Sequence, residues 1–376
     1  MADIRIDTLR GFTLPASVPY RRDPVVPEAF QTDKYRQDYD DRTLFYDCCT
    51  LDQSGQILLT APPLSGLWPL VRRALRIDGK PVGWMRQRRS GRSAQVLLRA
   101  RAGASVGLEI DGQTYPLAPR PSLASMFSGL NCAVTVNKNN DLNWIRDWVR
   151  YHISAHGLEG VVIFDNGSTA YDPSAIAEVL DPLPGLKSAA ILSAPYHWGG
   201  NVDGPTGMVR YKFLQTALIN LARRSEVSQA RAVIGMDIDE LVLGPNGASV
   251  FDAAESRWLS YVKLGGQWVF PEAANGAPTG QSDHVYRPEP ARPCKPKWCA
   301  RPDSLLSRLG WNVHNVGAEQ GRRVKADRQF SLIHCSACST GWKPASRRYS
   351  PPAAVVQDPA LVRLMARHLP KLADDA

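Results

Sequence analysis

The sequence predicts an α/β fold, an αβα sandwich on a mostly parallel sheet, preceded by a small antiparallel β domain. Three observations predict it. Between about residue 131 and residue 240, short apolar runs alternate with amphipathic stretches of helix length, the pattern that builds a parallel sheet with helices on both faces. Asn137, Asp165, Asp237 and Asp239 fall where those runs end, and in such sheets ligands bind beyond the carboxyl ends of the strands. Residues 44–117 instead break into short β-rich runs separated by turn signals.

At 376 residues the chain can bury one large core or two modest ones, and two domains fit its length better. Its 44% hydrophobic and 22% charged content is ordinary for a globular protein. No apolar stretch approaches the roughly eighteen residues a membrane-spanning helix needs. The opening Met1-Ala2-Asp3-Ile4-Arg5-Ile6-Asp7 brings acids early and lacks an apolar core, so it does not read as a secretory signal. A cytoplasmic protein is expected, with its seven cysteines as thiols. The net charge of +9 points to anionic partners, either nucleotides or the surface of an anionic membrane touched peripherally. Arg86-Gln87-Arg88-Arg89 has no interleaved aromatics and reads as a solvated loop; no nucleic-acid partner is expected.

In chain order, residues 1–43 are rich in Pro, Asp, Arg and Tyr, show no sustained period, and read as an irregular arm. Residues 44–125 read as the β-rich accessory domain. Its Asp78-Gly79 and Asp111-Gly112 pairs predict hairpins, because Asp-Gly accepts positive φ cheaply. Packing is the role assigned to it, with acceptor binding as the alternative. Residues 126–345 carry the α/β pattern. Ala133-Val134-Thr135-Val136 is the first strand, and Asn139, Asn140 and Asp141 offer helix N-caps. Leu142, Ile145, Trp148, Val149, His152 and His156 then share one helical face, and Gly157 supplies the stop. Val161 to Asp165 is the second strand, Asp172-Pro173 starts another helix, and Ala189 to Leu192 is the third strand. Thr206 to Arg224 reads as one long helix, Arg231 to Glu240 holds the fourth strand, and residues 346–376 read as a C-terminal tail or helix.

A buried strand cannot keep carboxylates in its middle, so Asp237, Asp239 and Glu240 should mark where the fourth strand leaves the sheet. In an extended segment alternate residues share a face, which lets Asp237 and Asp239 aim at one point. Converging carboxylates repel unless a cation lies between them, and oxygen ligands suit Mn2+ or Mg2+. The plainer reading is an acidic strand end facing solvent. Cys294, Cys299, Cys335 and Cys338 are paired in sequence at spacings that a zinc site uses, but no zinc-ribbon context surrounds them, and free thiols are the reading.

Several segments carry a family resemblance: Asn140 to His152, Val162 to Ser168, Met236-Asp237-Ile238-Asp239-Glu240-Leu241, Trp268 to Pro271, and Asn312-Val313-His314. Together they resemble the glycosyltransferase family 92 type and its bacterial relatives among the family-2-like glycosyltransferases. The resemblance runs from about Cys132 to His334. It departs at Leu241, where Phe is usual, and at Pro271, where Gly is usual.

The resemblance implies a GT-A fold and metal-dependent transfer of a hexose from a nucleotide sugar, a UDP-sugar, to a glycan or lipid-linked acceptor. Asp237 and Asp239 then hold Mn2+ or Mg2+, which neutralises the departing diphosphate. His314 is the further ligand and His334 the runner-up. Asn137, Asn139, Asp165 and Asn166 are candidates to bind the nucleotide through their amide and carboxylate groups, with turn formation as the alternative. Arg210 and Lys212 are candidates to reach its phosphates. Glu272 and Asp283, flanking the glycine-rich stretch 275–280, are the candidate bases for the acceptor hydroxyl; Glu240 is assigned to orient the metal site. Trp198, Trp268 and Trp311 can stack on sugar rings, with Trp268 assigned to the core. Two other classes are weighed. A sugar-nucleotide pyrophosphorylase wants a glycine-rich basic loop that Asn137-Lys138-Asn139-Asn140 lacks. The other is a non-catalytic carbohydrate-binding protein.

Overall fold

A computed structural model of the chain describes residues 1–51, 55–101, 103–272, 279–338 and 354–370. Most of the stretch 275–280 and much of 346–376 lie outside them. The fold is mixed α/β, with one large sheet of both parallel and antiparallel strands and several small antiparallel sheets. Numbered in chain order, the strands of the large sheet are β1 (Asp3–Thr8), β2 (Asn131–Asn137), β3 (Gly160–Asp165), β4 (Ser188–Ser193), β5 (Ala232–Gly235), β6 (Glu240–Leu243), β7 (Tyr261–Val269), β8 (Pro293–Ala300) and β9 (Ser331–Cys335). Their order is β1-β4-β3-β2-β5-β8-β7-β9-β6. The first five positions are parallel to one another, and β8 and β6 run antiparallel to their neighbours.

Local chemistry sets the crossovers. Helix α1 (Leu142–His156) starts where the Asp141 carboxylate accepts the Asn143 N–H at 2.8 Å, and it ends at Gly157, whose φ of 71° a side chain would strain. Its inner face buries Ile145, Trp148, Val149, Tyr151, His152 and His156. Helix α2 (Pro173–Leu180) opens on proline, which has no N–H to leave unpaired at a first turn.

Helix α3 (Leu214–Arg224) is shorter than the sequence suggests. Thr206 to Arg210 belongs to a hairpin, Asn201–Gly204 with Gly207–Arg210. Gly204-Pro205-Thr206-Gly207 makes its turn, and Gly207 at φ 112° cannot be helical. The N-terminal arm is likewise less irregular than its composition: Asp3–Thr8 is an edge strand paired in parallel with Ser188–Ser193, and Asp33–Asp38 forms a short helix capped by Thr32.

Between Asp47 and Pro121 the strands build two small sheets, while Thr43–Phe45 pairs with Phe12–Thr13. Asp78 and Asp111 both adopt positive φ ahead of their glycines, making the hairpins that Asp-Gly predicts. Alternation divides the five-stranded sheet (Asp47–Leu51, Gln56–Ala61, Met85–Ser90, Ser93–Arg99, Arg120–Pro121) between two cores. Ile57, Leu59, Val96 and Leu98 face the accessory core, while Leu58 and Leu97 join the core under α3. Arg86-Gln87-Arg88-Arg89, read as a solvated loop, lies in the edge strand Met85–Ser90 of this sheet. At the other end of the chain, Leu361 and Met365 of α4 (Pro359–His368) pack into the core beside α1.

Gly235 ends β5 against the buried Trp298 ring. A Cβ there would sit 2.3 Å from Trp298 Cζ2. Gly235→Ala is therefore expected to lower stability by about 1–3 kcal/mol, the usual cost of overpacking, read as a lower urea midpoint.

Candidate functional site

Titratable side chains from β6, β8, β9 and the turn after β5 meet at the carboxyl end of the parallel strands. The chain turns immediately beyond β5: the Glu240 N–H donates to the Asp237 carbonyl at 3.2 Å, and Ile238 is buried in the core. Asp237 and Asp239 thus sit on two arms of a turn. The alternation rule that aimed them at one point holds only while a strand stays extended.

Each aspartate has its own cationic partner. Asp237 Oδ2 lies 2.5 Å from Lys297 Nζ, and its Oδ1 accepts from Gln215 Nε2 at 3.2 Å. Asp239 Oδ2 lies 2.9 Å from His334 Nε2. Glu240 joins the two halves. Its Oε2 accepts the Asp237 N–H at 2.9 Å and sits 3.1 Å from Lys297 Nζ, while its Oε1 sits 3.5 Å from His334 Nδ1. Register explains the last contact, because Glu240 on β6 stands directly opposite His334 on β9.

Burial decides how these charges behave. The side chains of Lys297 and Glu240 are 1% and 2% exposed, whereas that of Asp237 is 38% exposed. Desolvation works against the Lys297 ammonium, but Asp237 and Glu240 more than reverse it and drive its pKa up. Burial pushes the Glu240 pKa up to about 7 despite Lys297. For Asp237 burial also acts upward, and Lys297 overcomes it, holding the carboxyl below its ordinary value. His334, penalised by burial, is held well above the ordinary histidine range by Asp239. It is an imidazolium on which Trp268 stacks, with ring centroids 3.8 Å apart. Two cations therefore offset the acids from within the fold.

His314 is the opposite case. Its Nδ1 lies 3.1 Å from the Pro296 carbonyl, which can only accept, so Nδ1 carries the proton and Nε2 keeps its lone pair. Burial, and then Lys297, lowers its pKa to about 4, so the ring is neutral. It lies within electrostatic reach of Asp237. Asp237 opens on a narrow cleft of about 20 Å³, lined also by Val134, Val136, Gln215 and Val313, with room for one water or one ion. A divalent cation on Asp237 would have to replace its contact with Lys297 or with Gln215, and His314 is the neutral nitrogen donor on that side. Asp239 joins only by giving up His334. Among the described residues no group of three or more His, Cys, Asp or Glu is arranged to hold a metal, and Cys294, Cys299, Cys335 and Cys338 are free thiols.

The other predicted residues build the ledge beside this cluster. Asn137 Nδ2 donates to Asp165 Oδ1 at 2.7 Å, and Asn140 Nδ2 donates to Asn137 Oδ1 at 2.8 Å. Asp165 also accepts the Ser168 N–H and hydroxyl. Asn139 accepts the Thr169 and Ala170 N–H groups, and Asn166 Nδ2 spans the Ala194 and Tyr196 carbonyls. These side chains are spent on holding the loops after β2, β3 and β4 together, so the turn-forming alternative describes them better than direct ligand contact. Arg210 ends the hairpin at the surface, beside Arg92 and Arg322, and Lys212 accepts from Arg92 Nε through its carbonyl at 3.1 Å. Glu272 is exposed, beside the Tyr286 hydroxyl. Asp283 Oδ2 accepts the Gly280 N–H at 2.8 Å. The structure does not bring Glu272 into the acidic cluster. Trp311 is fully buried against Trp298, and Trp268 is half-buried on His334.

Lys297, Gln215 and Arg92 are not singled out by sequence reasoning. Lys297 has one visible signal, a lysine heading the apolar run Trp298-Cys299-Ala300, which asks for a buried counter-charge. Gln215 and Arg92 carry none. No protein-family model matches the chain, and no curated protein is significantly similar to it.

Proposed function

We propose that this chain is a glycosyltransferase of GT-A type that moves a hexose from a nucleotide sugar to a glycan or lipid-linked acceptor with the help of Mn2+ or Mg2+. One observation carries the reading: a charge-compensated acidic cluster stands at the carboxyl ends of the central strands, where β2 and β5 adjoin. Reading outward from β4, the order β4-β3-β2-β5 is that of a doubly wound nucleotide-binding half, and its ligand crevice lies at the point where the order reverses.

When bound, the cation neutralises charge on the departing diphosphate. Asp237 and His314 would hold it. Lys297 keeps Asp237 ionised and fixed in place, and Glu240 ties Asp237 to His334. The cleft at Asp237 is too small for a nucleotide, so the donor would lie across the strand ends; Arg92, which donates to the Lys212 carbonyl just ahead of α3, is the candidate cation toward its phosphates. Pairing with His334 leaves Asp239 a positioning role. The test is UDP release from a panel of UDP-sugars with an acceptor mixture and Mn2+. Asp237→Asn is expected to lower turnover about a hundredfold or more, the scale of losing one preorganised electrostatic group. Turnover equal to that of the unaltered protein would refute the assignment.

A further inference from the structure

Helix α3 ends in two arginines that the acidic cluster does not use. Arg223 is only 8% exposed. Its Nε, and the Nη1 of Arg224, are buried with no hydrogen-bond partner among the described residues. Strand Ser93–Arg99 of the accessory sheet packs along the same helix, and the edge strand Met85–Ser90 is its outer neighbour. At one end, a Cβ on Gly91 would lie 3.7 Å from Thr216. Further along, Gln95 Nε2 donates to the Asn220 carbonyl at 3.0 Å. Arg88 stands directly opposite Gln95, and Arg86 directly opposite Leu97, which packs in the core under α3. Residues opposite one another in an antiparallel pair share a face, so Arg86 and Arg88 are directed at the last turn of the helix.

Four guanidinium groups thus converge, and no carboxylate among the described residues pairs with any of them. Burial first, and then mutual repulsion with Arg224 and Arg88, lowers the Arg223 pKa to about 9; burial, Arg88 and Arg86 lower that of Arg224 to about 10. Both still hold their protons at neutral pH. Unpaired buried charge is costly, and the partial negative charge of a helix C-terminus offsets little of it. Planar guanidinium forks match the oxygens of a phosphate group, which carries enough charge and acceptors for several of them at once.

We propose that Arg86, Arg88, Arg223 and Arg224 form a binding site for a phosphate group, separate from the acidic cluster. The separation is most of the length of α3: the nine residue steps from Gln215, which touches Asp237, to Arg224 rise about 14 Å. The site is independent of the transferase reading. Its phosphate comes from either a soluble phosphate ester or a phospholipid headgroup.

The test is calorimetric titration with pyrophosphate at constant ionic strength, together with sedimentation on phosphatidylcholine vesicles with and without phosphatidic acid. The full chain is compared with Arg86→Ser/Arg88→Ser, which alters only the more exposed pair, and with Asp237→Asn. Pyrophosphate or phosphatidic-acid binding is expected in the unaltered chain and in Asp237→Asn, weakened about tenfold or more in the double arginine variant. Pyrophosphate binding alone identifies a soluble ligand, and vesicle binding alone identifies a headgroup. Absence of both, or binding undiminished in the double arginine variant, overturns the proposal. Loss of binding in Asp237→Asn also overturns it, by moving the phosphate to the acidic cluster.

Discussion

Replacing Lys297 by methionine is expected to destabilise the protein by about 3–5 kcal/mol, the range for removing one partner of a buried ion pair. Most of the loss comes from Glu240. Asp237 can rehydrate through its 38% exposed side chain, whereas Glu240, at 2%, cannot. The pH dependence follows from the same asymmetry. Burial raises the folded-state pKa of Glu240 to about 7, above its ordinary value of 4.5. Between those values the folded chain holds a proton that the unfolded chain has released, so this group's contribution to stability falls as pH rises. Without Lys297 the pKa moves higher still, and the window extends upward. Urea midpoints should therefore show a larger Lys297→Met penalty at pH 8 than at pH 5, where Glu240 is protonated. Lys297→Met/Glu240→Gln should recover most of the loss. A penalty independent of pH, with no recovery in the double variant, would contradict this account.

Arg120→Met is expected to be at least as damaging, again about 3–5 kcal/mol. The guanidinium is fully enclosed between two fully enclosed carboxylates, at 2.8 Å from Asp47 and 2.5 Å from Glu226. Neither acid has solvent to fall back on, and burial already raises the Asp47 pKa. Asp47 and Arg120 lie on strands of the accessory sheet, while Glu226 follows α3, so the triad fastens the small β unit to the body of the fold. Cys49 and Ser225, 3.0 Å apart, lie beside it. Amide exchange should accelerate in Asp47–Leu51 before it does in β2 or β3. Arg120→Lys should restore only part of the stability, because a single ammonium cannot reproduce the fork that spans both acids. Full restoration by lysine would show that charge alone, without geometry, holds the joint.

What was legible in the sequence is what local chemistry encodes. The runs of β2, β3 and β4, the Asp141 and Gly157 caps of α1 and the two Asp-Gly hairpins need only near neighbours to form, and each stands where its residues predict. Long-range pairing was not legible. Asp3–Thr8 alternates charged residues with isoleucines and becomes a strand only because Ser188–Ser193 offers it an edge. The Arg86–Arg89 run looks solvated until the register turns alternate arginines toward α3. The Asp237–Asp239 spacing located the cluster, yet the partners that set its charge arrive from positions 297 and 334. Thr206 to Arg210 reads as helix only if the apolar spacing of Phe213 to Leu221 is carried backward, and the Gly-Pro-Thr-Gly turn stops it there.

The central claim is that the acidic cluster after β5 receives a nucleoside diphosphate through a cation on Asp237. Isothermal titration of UDP into the full chain, with and without Mn2+, tests it directly. The account predicts binding that requires Mn2+ and disappears in Asp237→Asn. UDP binding that ignores both the metal and the substitution, or no binding under any of these conditions, would contradict it.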